Sequence, residues 1–422
     1  MEKKTPLNSW HRAERANMAI FGGYEMPLWY PTGARKEHLS VLTDAGIFDT
    51  SHMAVITVSG KEARHLLQFC FTKDLDRCIG KNKTPLVQGR SAYGAFLCED
   101  GTVLDDAIVS QIVDDHYVVV VNAGMGEPIT EHLQNHAQTR SSVSIIDLTD
   151  RLGKIDVQGP HAARLLEPHL ADPQRVFERM PYFSFKGYFD DRSPLSDEVR
   201  LIDGTPILLS RTGYTGEFGF ELFMDEAHLI HVWNRLLHAG RDAGLTPCGL
   251  AARDSLRTGA MLPLSHQDIG PWPFINHPWQ HALPYDERGI VFTKKFLGDT
   301  ALKHCANPAF VYPFAGFDLR KIAPGDLSIV TNAEGNEVGT VLTCVTDVAI
   351  DRYQETIFSI ASPNAPEGFQ PKGLSCGFIK VNTPLAYGSI IEIKNGRRIL
   401  KAEIVQDIRP DRTARKPMVQ MR

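Results

Sequence analysis

The stretch R-T-G-Y-T-G-E-F-G-F-E at residues 211–221 places three glycines beside one cation, a tyrosine and two carboxylates. Glycine accepts positive φ and lets backbone approach another molecule closely, Tyr214 offers a ring to stack on, and Glu217 offers a two-oxygen acceptor. Such a loop suits a flat polar ligand; by residue types alone it equally suits a glycine-rich connection into the apolar strand that follows. A second concentration of chemistry is the hairpin at residues 99–109, where Asp105 and Asp106 stand inside an otherwise apolar strand. Burying a carboxylate there is expensive unless partners or function compensate. Strand alternation sends the two side chains to opposite faces and does not choose between them. A strand-edge charge beside a turn-bonded aspartate is the plainer alternative.

These residues need elements to position them. Residues 54–59, 91–97, 103–113 and 117–121 read as short strands of a meander, interrupted by a helix at 61–69 with Ser59 as its N-cap and followed by a helix at 126–136. A further α+β stretch begins near residue 145 and includes a helix at 161–170. After the glycine-rich loop, Asp225 caps an amphipathic helix in which Leu229, Trp233, Leu236 and Leu237 recur at helical spacing, ended by Gly240 or Gly244. From about residue 314 strands alternate with turns, as in a small all-β module, which puts a boundary near 305–315.

The chain has 422 residues, 43% of them hydrophobic, so two or three domains are expected. Net charge is −5 and the only basic block is the tail at 409–422, so nucleic acid is not an expected partner. No signal-peptide pattern and no run of 18 apolar residues occurs, which points to a cytoplasmic protein without a membrane partner. Seven scattered cysteines without C-x-x-C pairs read as reduced thiols. Sixteen histidines show no H-E-x-x-H spacing, and His277 and His281, four apart, sit among prolines; no metal site is expected.

Taken in order, the motifs resemble the glycine cleavage T-protein family of tetrahydrofolate-dependent aminomethyltransferases. They are F-G-G-Y-E-M-P at 21–27, E-H-L at 37–39, A-G-I-F-D-T-S-H-M at 45–53, Asp105-Asp106, V-N-A at 121–123 and V-Q-G-P at 157–160. The loop at 211–221, G-L-A-A-R-D-S-L-R at 249–257 and K-F-L-G at 295–298 complete the series. The resemblance implies an α+β cloverleaf: two mixed domains around a central folate channel plus a C-terminal β-barrel. Residues 1–50 with 140–305 would form one discontinuous folate-binding part, 51–139 the meander carrying the catalytic aspartate, and 306–422 the barrel.

Carried over by position, the resemblance makes Asp106 the critical acid, orienting the pterin and taking or sharing the proton lost as N5 becomes a nucleophile. It places Asn122 and Arg253 against the folate and gives Tyr214 a stacking role. Glu217 would accept from the 2-amino and ring N–H donors of the pterin, opposite Asp106. Tetrahydrofolate is the implied cosubstrate and a lipoylated carrier protein the implied partner. The alternatives are a folate-dependent demethylase of a small O-, S- or N-methyl compound, and a folate-binding protein without turnover, although the Lys-Gly-Cys-Tyr-x-Gly-Gln-Glu signature of the iron–sulfur maintenance relatives is missing.

Two regions depart from the family pattern. In place of a compact tyrosine-containing segment, residues 261–281 carry Trp272, Phe274, His277, Trp279 and His281, which form either an aromatic wall around a different donor or an ordered proline-rich surface loop. The barrel has L-T-C-V at 342–345 in place of Thr-Ser-Gly, and 350–372 reads as an insertion. Arg397 and Arg398 are candidates for meeting the folate glutamate tail.

Overall fold

A computed structural model describes residues 2–137, 142–325 and 328–422. Three β-systems organise the chain. The first is a five-stranded antiparallel meander in the spatial order Arg90–Leu97, Val103–Val113, His116–Val121, Ala54–Ser59 and Ser144–Asp147. The last of these pairs with Ala54–Ser59, so the meander reaches past residue 139, the expected end of this unit. Helices Ala63–Cys70 and Gly126–Ala137 cover one face and close a core with Val58, Phe96 and Val119. The first helix starts later than expected. Its N-cap position is Glu62, which makes no side-chain cap bond; the chain first turns at Gly60, whose carbonyl accepts from the Ala63 N–H.

The second system is a six-stranded mixed sheet whose middle strands are Gly219–Asp225, Leu152–Gln158 and Ala45–Asp49. Every residue of Leu152–Gln158 is buried. Its apolar positions Ile155 and Val157 join a core with helix Glu226–Gly240 through Leu229, Val232 and Trp233. Gly153 is what allows the helix this close, because a β-carbon there would lie 2.7 Å from Leu229. The alternate residues Lys154, Asp156 and Gln158 are polar and equally buried, so this face requires partners. As expected, Asp225 caps the helix, accepting from the Ala227 N–H at 2.9 Å, and a left-handed Gly244 (φ +89°) terminates the turn that follows it.

The third system is a closed six-stranded barrel, ordered Phe310–Gly316, Leu374–Val381, Glu337–Asp347, Ile329–Thr331, Ile390–Asn395 and Arg398–Ile404. The segment at 350–372 contributes a hairpin, Ile350–Tyr353 with Thr356–Ser359, tied to the barrel by Arg352 and Glu403 at 2.8 Å. Two mixed α+β parts and a terminal barrel make this an α+β fold. Among the described residues no helix is long and apolar enough to cross a membrane, and none of the seven cysteines is in a disulfide.

Candidate active site

A cavity of about 1470 Å³ opens where the meander, the mixed sheet, helix Leu250–Gly259 and one end of the barrel meet. Its meander wall is built by alternation. Strand Val103–Val113 carries a bulge at its start, since Phe96 faces Asp105 while Leu97 faces Val103. Beyond the bulge Asp106, Ile108 and Ser110 line the cavity, whereas Asp105 does not line it and is fully buried. On the neighbouring strand Ala95 is the cross-strand partner of Asp106. Tyr93, two residues away, therefore shares the face of Asp106.

The two aspartates are held by a small donor set. Tyr93 Oη donates to Asp106 Oδ2 at 2.7 Å, and Asn122 Nδ2 donates to Asp106 Oδ1 at 2.6 Å and to Asp105 Oδ1 at 2.8 Å. The Asn122 backbone N–H donates to Asp105 Oδ2 at 2.8 Å. Burial raises the pKa of Asp105 to about 6. Burial, with the charge of Asp105 beside it, raises Asp106 to about 7. A carboxyl group that exchanges its proton near neutrality and faces a large cavity is suited to general acid or base work.

The mixed-sheet wall is opposite in character. Asp156 accepts from Lys154 Nζ at 3.0 Å, Arg253 Nη1 at 2.9 Å and Thr50 Oγ1 at 2.7 Å. Burial opposes its ionisation, but the charges of Lys154 and Arg253 hold the carboxyl below the usual carboxylate range. Glu221, facing Asp156 in register across the adjacent strand, lines the cavity and accepts from Lys154 and from Thr212 Oγ1. Two cations and two carboxylates thus form a closed, neutral set. The Arg253 guanidinium lies 4.9 Å over the Tyr214 ring, whose hydroxyl donates to the Pro263 carbonyl, so the ring stands fixed as a cavity wall. Burial and the charge of Arg253 push the pKa of His52, on the same wall, down to about 3, leaving it neutral.

Of the residues singled out in the sequence, Asp106, Asn122, Tyr214 and Arg253 converge on this cavity. Arg253 pairs with Asp156, while its neighbour Asp254 pairs with Arg257 at 2.7 Å. Glu217 does not line the cavity, because its side chain is buried away from it. Its Oε2 accepts from Thr413 Oγ1 at 2.6 Å and from the Thr413 N–H at 3.2 Å, and its Oε1 lies 3.4 Å from Arg409 Nε. Gly216, at φ +77°, makes the turn that sends Glu217 under the C-terminal segment. Four residues on, strand Gly219–Asp225 brings Glu221 to the cavity instead. Arg397 and Arg398 are exposed on a barrel hairpin and do not line this cavity; Lys73, Arg90, Arg412 and Arg415 are cations that border it.

The segment at 261–281 is neither a cage nor a surface loop. Trp279 is buried, donates from Nε1 to the Met261 carbonyl at 2.7 Å and meets Phe378 of the barrel edge-on at 5.1 Å. Phe274 and His277 stack at 4.0 Å, and Trp272 lies under Lys380 at 4.3 Å. The two departures from the family pattern touch each other: Thr343 donates to Asp268 Oδ1 at 2.6 Å and accepts from Gln267 Nε2 at 2.6 Å. Both ends of the segment line the cavity, residues 261–264 with Gln267 at its start and Pro278, Trp279 and His281 at its end, with the His281 ring 5.7 Å from that of Tyr93. His281 itself is exposed, at the rim of the cavity.

Residue types alone did not expose Tyr93, Lys154, Asp156 or Glu221. Tyr93 was reachable by counting strand parity back from Asp106. Lys154 and Asp156 were marked by polar residues alternating through the apolar stretch at 152–158.

The family model for the GCVT N-terminal domain matches residues 7–272, more than half of the chain. An aminomethyltransferase of Koribacter versatilis is 33% identical over 345 residues, covering 80% of this chain and 83% of that protein. The chain belongs to the aminomethyltransferase family. Within the family, the aminomethyltransferase of Geobacillus sp. is 34% identical over 349 residues, covering 81% of this chain and 86% of that one. The crystal structure of glycine cleavage system aminomethyltransferase T from Bartonella henselae superposes over 100% of this chain and 99% of its own, with a TM-score of 0.74 and 25% identity. Family, meander, mixed sheet and barrel therefore agree over the whole length.

Proposed function

We propose that this protein transfers an aminomethyl carbon from a lipoylated carrier protein to tetrahydrofolate, giving 5,10-methylene-tetrahydrofolate, ammonia and the carrier thiol. Family membership supports the reaction class. The observation that carries the reading is Asp106, facing the cavity between Tyr93 and Asn122 with its pKa raised to about 7. The residues suit a pterin: a flat ring bearing N–H donors matches the acceptor Glu221, the ring of Tyr214 and a carboxyl able to hold or release one proton. Tetrahydrofolate supplies the two nitrogens between which the transferred carbon ends.

The chain's own contribution is placement and proton handling. Asn122 Nδ2 bridges Asp105 and Asp106 and fixes both carboxyl planes, and Tyr93 Oη orients the second oxygen of Asp106. Asp106 then takes the proton that the attacking nitrogen loses and passes it to the departing amine. Arg253 and Tyr214 hold the opposite wall, and the buried Trp279 closes one side against water. Lys73, Arg90, Arg412 and Arg415 give the cavity a cationic border suited to an anionic glutamate tail. In domain terms we assign residues 1–50 with 148–305 to the folate-binding part, 51–147 to the catalytic meander and 306–422 to the barrel, in a protein of the cytoplasm.

The test supplies carrier protein bearing the aminomethyl-lipoyl group, with tetrahydrofolate, and follows ammonia and 5,10-methylene-tetrahydrofolate. Both products are expected at matching rates. Absence of both, with methyl-tetrahydrofolate forming from a small methylated metabolite, would replace this reading with the demethylase one. Folate binding without any product would leave a binding protein.

A further inference from the structure

A second cluster of chemically capable side chains lies in the meander, outside the cavity. Helix Ala63–Cys70 ends on Cys70, which is fully buried. Helix Gly126–Ala137 carries His132 and His136 one turn apart, hence on one face. One ligand atom from each of these three residues lies within 4.8 Å of the other two. None of them lines the cavity.

Two further observations point to a bound ion. The Nε2 atom of His132 is buried and has no hydrogen-bond partner, an expensive arrangement for a polar atom unless something occupies its lone pair. His136 Nδ1 lies 2.8 Å from the His132 carbonyl oxygen. That contact makes Nδ1 the donor and puts the lone pair on Nε2, the backbone-anchored orientation common among metal-bound histidines.

We propose that Cys70, His132 and His136 bind a borderline-soft divalent cation of the zinc class. One thiolate and two imidazoles select zinc or cobalt over calcium or magnesium, which require oxygen donors. Binding displaces the thiol proton of Cys70 and leaves the fourth tetrahedral position to water or another small ligand. Its effect is structural: it clamps the C-terminal ends of the two helices that cover the meander core, immediately before Phe71 and Thr72. Thr72 in turn reaches the Ala282 carbonyl at 2.8 Å, beside the cavity wall. The i, i+4 spacing of His132 and His136 is readable in the sequence; the cysteine partner comes from another helix and is not.

The test uses the full-length protein, reduced and stripped with a chelator, then titrated with Co²⁺. One equivalent per chain should produce a thiolate-to-cobalt charge-transfer band that Zn²⁺ abolishes, and protein purified without chelator should contain one zinc. Cys70→Ser should lose the band, and His132→Gln should weaken binding by at least about tenfold. His228→Gln, on an exposed helix face, should change neither. Folate binding and turnover should survive in both ligand variants. A folded wild type that gives no charge-transfer band overturns the proposal, as does a band that survives Cys70→Ser. Should Cys70→Ser not fold, the wild-type spectrum and His132→Gln still decide.

Discussion

The two walls of the cavity use the same residue types to opposite ends. On the mixed-sheet side Asp156 and Glu221 are matched by Lys154 and Arg253 in a closed set that holds Asp156 ionised. On the meander side Asp105 and Asp106 share the amide of Asn122, and Asp106 also accepts from the hydroxyl of Tyr93, with no lysine or arginine in contact among the described residues. The closest ring nitrogen, His266 Nε2, lies 3.7 Å from Asp105 rather than from Asp106. Burial therefore outweighs the neutral hydrogen bonds on one side and is overcome by cations on the other. Cations fix the carboxylates of the first wall, while their absence leaves a mobile proton on the second.

The largest effect should come from removing that proton. Asp106→Asn is expected to lower turnover by about 10²–10⁴-fold while tetrahydrofolate binding, followed by fluorescence or calorimetry, changes little. Opening the closed set should instead show in stability. Asp156→Asn leaves Lys154 and Arg253 buried without their shared partner, and denaturant unfolding should report a loss of about 3–5 kcal/mol.

The same contrast has a pH signature. Asp106 has a folded pKa near 7, above the unfolded value of about 4. Its contribution to stability is thus fully present below about pH 4 and lost as pH rises through about 7. Melting curves of wild type and Asp106→Asn should converge at low pH, with the variant gaining on wild type as pH rises through that window. A gap that does not change with pH would contradict an unpaired Asp106.

Smaller differences separate the two glutamates. Glu221→Gln should weaken tetrahydrofolate binding by about tenfold, because it removes an anionic acceptor from the cavity wall. Glu217→Gln should leave that affinity within about twofold and cost about 1–3 kcal/mol of stability, because it disturbs the buried contact with Arg409 and Thr413. The reverse pattern would restore Glu217 as the ligand-reading carboxylate.

Much of this was legible in the sequence, and what was missed has physical reasons. Amphipathic spacing and the Asp225 cap located helix Glu226–Gly240, and regular strand and turn alternation announced the barrel. Motif order brought Asp106, Asn122, Tyr214 and Arg253 into one site. Which of Glu217 and Glu221 faces the cavity was not legible, because it depends on where the chain turns at Gly216 and on the register of Glu221 with Asp156. The segment at 261–281 failed for a related reason. Its aromatics look like a ligand cage or an exposed loop until the barrel residue Phe378 supplies the other half of their packing. The meander's true end at Asp147 was hidden because Ser144–Asp147 is a short edge strand recognisable only by its pairing with Ala54–Ser59.

The most direct measurement is a single-turnover reaction of aminomethyl-loaded carrier with tetrahydrofolate-saturated protein, wild type against Asp106→Asn, reading ammonia and 5,10-methylene-tetrahydrofolate together. The expected result is rapid, matched release of both products from wild type, with the variant slowed by about 10²-fold or more at unchanged folate occupancy. Equal rates in the two proteins would contradict the assignment of Asp106 as the group that moves the proton.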